Sequence, residues 1–126
     1  MSSMNEALVL TLPNEQRFLP LARLVLGGLA SQFDLPYEQL DDLQLAVETV
    51  LADESAVDGD VTLRIEALGG TVAVSIHPAS SGQGEGLALE RVLSTLVDTV
   101  RTVTLEDGEQ WLRLEQHLTP SRADTR

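Results

Sequence analysis

Leu43-Gln-Leu-Ala-Val-Glu-Thr-Val-Leu-Ala52 repeats apolar residues at helical spacing and keeps one carboxylate, Glu48, off the apolar stripe. Leu43, Val47, Val50 and Leu51, with Leu40 upstream, fall on one side of a 3.6-residue helix. Asp41, Gln44, Glu48 and Ala52 are spaced by three or four residues and fall on another face. Further on, Gly82-Gln-Gly-Glu-Gly-Leu-Ala-Leu89 sets three glycines directly before a second apolar-periodic run. Glycines let a backbone approach phosphates closely, and a helix N-terminus offers free N–H groups to an anion. Glu85 works against that use, because it brings a negative charge into the same loop.

Working outward, Ala7-Leu-Val-Leu-Thr-Leu12 is a short β-type run ended by Pro13. Asn14 is a good N-cap for a helix over 15–33, with apolar residues at 18, 21, 22, 25, 26, 29 and 33. Gly27-Gly28 inside it costs about 1 kcal/mol per glycine relative to alanine. Close packing against a neighbour would offset that cost; a kink near residue 28 is the other reading. Asp34 or Leu35 caps the next helix, with Pro36 in its first turn, where a missing N–H is harmless. That helix fades at Asp53-Glu-Ser, before the turn residues Asp58-Gly-Asp.

Val61 to Leu68 alternates, Gly69-Gly70 is a two-residue hairpin signal, and Thr71 to Ile76 returns as the partner strand. A loop over 77–86 precedes a third helix over 87–97, with Leu89, Val92, Leu93, Leu96 and Val97 inward. Residues 100–105, an Asp107-Gly108 turn and residues 110–118 form a closing hairpin. Residues 1–118 are read as one domain, and 119–126 as a disordered tail. The order βααββαββ, with helices gathered on one face of the sheet, is a two-layer α/β sandwich of the α+β kind.

The chain has 126 residues, a net charge of −12, no lysine and no cysteine. A domain of this size buries roughly 65–70% of its unfolded surface. With only Phe18, Phe33, Tyr37 and Trp111 aromatic, the core must be mostly Leu, Val and Ala. Without cysteine, disulfides and thiolate metal sites are excluded, which suits a cytoplasmic protein. The first residues, Met1-Ser-Ser-Met-Asn-Glu6, lack the basic and apolar regions of a signal peptide. The apolar, uncharged stretch 24–33 is far short of the ~20 residues that span a bilayer. An acidic surface repels nucleic acid and anionic lipid, makes ATP a poor guest unless compensated, and steers in basic proteins. Only His77 and His117 are available for a histidine triad or zinc site, so neither chemistry has a full set of residues.

The order of elements, the run Asp42-Leu-Gln-Leu-Ala-Val-Glu48 and the box Gly82-Gln-Gly-Glu-Gly86 resemble the GHKL superfamily of ATPases. Within it, residues 6–118 look most like the RsbW-like anti-sigma-factor serine kinases. The resemblance implies a Bergerat-type fold with three helices on one face of a mixed, mainly antiparallel sheet. It implies that Glu48 holds the position of the catalytic base. Four residues on, where the family carries a magnesium-binding Asn, this chain has Ala52, which cannot ligate a metal. The family's adenine-reading Asp is also absent: no carboxylate lies between Ile76 and Gly82, and His77 or Ser80 does not reproduce one. The vestigial nucleotide site would comprise Glu48, Ala52, His77, Gly82, Gly84, Gly86 and Leu87, with no metal. For Glu48 the plain alternative is a partly exposed helix carboxylate, and for the glycines a loop that merely tolerates them.

These features imply a regulatory protein that binds an RNA polymerase sigma factor, a STAS-type anti-anti-sigma protein, or both. No cofactor is expected, with ATP and Mg²⁺ the pair to look for if the site is retained. Asp34, Glu38, Asp41 and Asp42 are the first choice for the partner surface. The resemblance also implies a homodimer. One alternative is an active ATP-dependent serine kinase using Glu48; another is a non-catalytic ligand-binding or dimerisation module.

Overall fold

The computed structural model describes residues 6–33, 35–53, 59–78, 86–105 and 108–118. Its elements run β1 (Glu6–Pro13), a 3-10 turn (Gln16–Phe18), α1 (Leu19–Phe33), α2 (Tyr37–Asp53), β2 (Asp60–Leu68) and β3 (Thr71–His77), then α3 (Gly86–Ser94), β4 (Thr99–Thr104) and β5 (Gln110–His117). The expected βααββαββ order is present. The strands form one sheet in the order β1-β2-β3-β5-β4, leaving β1 and β4 at its edges. Every described pairing is antiparallel, so the mixed sheet implied by the resemblance is not what the described strands form. Gly69 and Gly70 both adopt positive φ in the β2–β3 turn, as a tight hairpin requires.

Strand alternation divides the sheet. Leu12, Val61, Leu63, Ile65, Val72, Val74, Ile76 and Leu114 face one way and join the core. All three helices deliver residues to that same core: Ala22 and Leu26 from α1, Leu43, Ala46, Val47, Val50 and Leu51 from α2, and Leu93 from α3. The α2 stripe is the deepest part, with its five members fully buried. Gln116 is the polar exception on this face. It donates to the carbonyls of Gln39 (3.2 Å) and Leu96 (3.3 Å), tying α2 and the turn after α3 to β5.

Two boundaries differ from the sequence reading. The helix expected from residue 15 begins as an α-helix only at Leu19, after a 3-10 turn whose cap is Glu15 rather than Asn14. Pro20 explains the delay. Its ring clashes with the carbonyl four residues earlier, so it fits the first turn of a helix and not its interior. α3 ends at Ser94 instead of 97, and Val92, expected inward, is about half exposed. The buried Leu93 and partly buried Leu89 and Leu96 set the inward stripe, and Val92 lies one position, about 100°, away from Leu93. Residues 119–126, expected as a tail, lie outside the described residues.

The opposite face of the sheet has no helix over it among the described residues, yet Ala73 and Ser75 at its centre are buried. Long ion-paired side chains cover them. Arg113 donates to Glu115 at 2.6 Å and to Glu66 at 3.3 Å. Arg64 adds a contact to Glu66 at 3.3 Å, and Arg101 one to Glu115 at 3.2 Å. The hydrogen bond from Arg113, reinforced by the charges of Arg113 and Arg101, holds Glu115 below the ordinary carboxylate range despite its burial. A depressed carboxylate stabilises the fold above its unfolded pKa and loses that contribution as pH falls through its folded pKa. Urea titrations across acid pH should therefore give a shallower loss of stability for Glu115→Gln than for the wild type.

The glycine pair in α1 gives a second expectation. A Cβ on Gly28 would meet nothing within 4 Å, whereas one on Gly27 would sit 3.4 Å from Gln44 Nε2. Gly28→Ala should stabilise the protein by up to about 1 kcal/mol. Gly27→Ala should gain less, because it presses on Gln44; paired denaturation midpoints distinguish the two.

Candidate functional site

The seam between α1 and α2 brings together the residues singled out on α2 and one that sequence reasoning missed, Arg23. Gln44 is buried and donates to the Arg23 carbonyl at 2.8 Å, and Gly27 leaves room for its amide. That contact sets the two helices close enough for the Arg23 guanidinium to reach across. Nη1 donates to Glu48 Oε2 at 2.8 Å and Nη2 to Asp41 Oδ1 at 3.3 Å. Glu48 is partly buried, while Asp41 and Arg23 are more exposed. The hydrogen bond and charge of Glu48, with Asp41 behind them, raise the Arg23 pKa above its ordinary value.

Asp41, Leu45, Glu48 and Ala52 follow one another up α2 at steps of four, three and four, hence on one face. Ala52 is exposed and offers no heteroatom. One Glu48 oxygen is already taken by a guanidinium, so the residue expected as a base is an ion-pair partner here. Among the described residues no group of three His, Asp or Glu side chains is gathered as a metal site.

His77 lies elsewhere. It ends β3 on the face away from the core, opposite in parity to Val72, Val74 and Ile76. Its Nδ1 is 3.1 Å from the Gln110 carbonyl, its Nε2 is 3.1 Å from Glu109 Oε1, and its ring is 5.0 Å from that of Trp111. The structure therefore does not bring His77 to Glu48; α2 and the His77 ring are on opposite sides of the sheet. Gly86 and Leu87 open α3 as its first two residues. Gly82 and Gly84 lie outside the described residues, as does Asp34.

Of the acids expected at a partner surface, Glu38 is exposed in the first turn of α2, Asp42 is half-buried, and Asp41 is committed to Arg23. Exposed apolar residues lie on both helices, Leu21 and Leu24 on α1 and Leu45 on α2. Leu24 is 71% exposed, high for a leucine in the middle of a helix.

The chain matches no protein-family model. It is similar to the serine-protein kinase RsbW of Listeria monocytogenes and to that of Listeria innocua, each 30% identical over 69 residues. The match covers 50% of this chain and 44% of the relative, so it spans less than half the length of those proteins. No helix among the described residues is long and apolar enough to cross a membrane.

The seam contains two kinds of contact with different expected weights. Gln44→Ala removes a buried amide and its bond, and should cost about 1–3 kcal/mol in urea unfolding. Arg23→Ala removes an exposed ion pair, and its smaller effect should shrink further with added salt.

Proposed function

We propose that this chain is a sigma-factor regulator that works by binding: it captures an RNA polymerase sigma factor, a STAS-type anti-anti-sigma protein, or both. The similarity to RsbW serine-protein kinases supports the class of regulator. The observation that carries the binding reading is the state of α2. Glu48, where the resemblance would put a base, is ion-paired with Arg23, and one turn on, where the resemblance would put a metal ligand, the exposed residue is Ala52. Phosphoryl transfer needs a metal bridging the phosphates and a free group to orient the nucleophile. Binding needs neither.

The outer side of the α1–α2 seam suits such a partner. Leu24 on α1 and Leu45 on α2 supply exposed apolar area, and α2 adds the acids Glu38, Asp41, Asp42 and Glu48, two of them paired with Arg23. A sigma factor has basic surfaces for DNA, and a chain of net charge −12 attracts them over a distance set by ionic strength. The kinase alternative retains one point in its favour, the presence of a glutamate at 48.

Two measurements test the reading. Calorimetric titration with Mg²⁺-ATP should give weak binding or none, and a dissociation constant in the low micromolar range would restore the kinase. Pull-down from the native cytoplasm should recover a sigma factor or a STAS protein, and recovery of neither removes the proposal. With that partner in hand, Asp41→Arg/Asp42→Arg should slow association strongly at low salt and weakly at high salt. Leu24→Glu should speed dissociation without disturbing the fold. Both variants binding normally would move the contact off this seam.

A further inference from the structure

Backbone hydrogen bonds fix which residues of β1 face β2 and which face away from the sheet. The Asn14 N–H donates to the Gly59 carbonyl at 2.9 Å, one step beyond the Pro13–Asp60 pair that ends the register of β1 with β2. In an antiparallel pair, bonded positions alternate with non-bonded ones. Glu6, Leu8, Leu10 and Leu12 therefore direct their N–H and C=O groups at β2. The two-residue turn at Gly69-Gly70 sets the same phase from the other side. It makes Leu68 and Thr71 a bonded pair, so even positions of β2 bond β3 and odd ones bond β1.

Ala7, Val9 and Thr11 are left with N–H and C=O groups pointing away from the sheet, and no described residue takes them up. Pro13, next in that series, has no N–H, and its carbonyl accepts from Glu15 at 2.8 Å, which closes the row. A donor and an acceptor at each of these residues thus stand in one line along the edge. Apolar side chains flank the line on both sides of the sheet. Leu8, on the side of the core, is 41% exposed, and Val9, on the helix-free side, is 58% exposed.

We propose that this edge takes up an extended, basic segment of another protein as an added strand. Strand addition supplies backbone bonds to any sequence, so side chains and charge select the partner. Leu8 and Val9 call for apolar residues beside them, one on each side of the sheet. The charge acts over a longer range: at −12, the chain repels acidic segments and second copies of itself, and draws cationic ones in. Exposed Asp60, opposite Pro13, puts an acid at one end of the line. Arg64, beside Val9, is matched by Glu66 and does not oppose a cation there. A handful of backbone bonds and two apolar contacts give modest affinity for the segment alone.

Amide hydrogen exchange followed by NMR on the whole chain reads the edge directly. In the free protein the amides of Ala7, Val9 and Thr11 should exchange fast, and those of Leu8, Leu10 and Leu12 slowly. The probe is a synthetic peptide alternating valine and threonine between pairs of lysines, with a second peptide carrying glutamates in place of the lysines. The lysine peptide should slow exchange at residues 7, 9 and 11. The glutamate peptide should bind on the order of tenfold more weakly at low salt, and the gap should close as salt is added. Val9→Pro removes an outward donor and no bond to β2, so the fold should persist while binding is lost. If proline unsettles the strand, Val9→Lys keeps every backbone group and should still weaken binding of the lysine peptide severalfold. The proposal is overturned if the three amides are already protected in the free chain, or if the lysine peptide leaves them fast. Equal binding of the two peptides, or unchanged binding by a folded variant at residue 9, overturns it as well. Protection that grows with protein concentration alone gives the edge to a second copy and also refutes it. The edge does not rest on the regulatory reading: failure to capture a sigma factor or STAS protein leaves it standing, and failure of the lysine peptide leaves that reading standing.

Discussion

β3 occupies the middle of a sheet whose helices gather on one side, and the rest of the fold answers to that position. Its residues 72–76 are all buried, although only alternate ones face the helices. Val72, Val74 and Ile76 are covered by apolar side chains of α1, α2 and α3. Ala73 and Ser75 are small and have no such layer, so their burial depends on neighbours long enough to lean across them. Arginine and glutamate have the length, and pairing them removes most of the cost of drawing charges toward the sheet. The ionic ladder is therefore part of the packing, and the molecule has two differently built layers around one strand.

The α1–α2 seam follows from the other side of the same sheet. Five fully buried residues hold α2 in the core over the sheet, and α1 docks beside it. Gly27 permits a buried glutamine between the helices, and that glutamine sets the distance over which Arg23 reaches Glu48 and Asp41. A helix face that the sequence presents as a row of acids becomes, once folded, a row of acids partly neutralised from next door. Chemistry inferred from α2 alone changes meaning when α1 is added.

Much of the architecture was legible because it is local. Periodicity placed all eight helices and strands in order, and Gly69-Gly70 fixed the central hairpin through its backbone conformation. The α2 stripe of Leu43, Val47, Val50 and Leu51 was identified correctly for the same reason. Pro20 was a local signal too, and reading it would have moved the start of α1 to its observed place. Other features were not local. Arg23 and Glu48 are 25 residues apart, and Arg113 and Glu66 are 47 apart. No spacing rule links such pairs; only the docking of α1 or the β3–β5 register creates them. His77 could be placed at a strand end, but which face its ring takes depends on strand parity counted from a correctly set hairpin.

β1 raises a different matter, that of the protein's behaviour as a colloid. It is an eight-residue edge strand, Glu6-Ala-Leu-Val-Leu-Thr-Leu-Pro13, with no strand paired to its outer side among the described residues and with Leu8 and Val9 exposed. Edge strands of this length usually carry a lysine or a bulge to discourage pairing with other chains; this strand has no lysine, and proline only at its end. Long-range repulsion between molecules of charge −12 takes over that protective role. Such protection is conditional. Near the isoelectric point of about 4.3, or in concentrated salt, the repulsion vanishes while the edge remains. Precipitation under those conditions would then begin from folded molecules adding strand to strand, before any unfolding of the core.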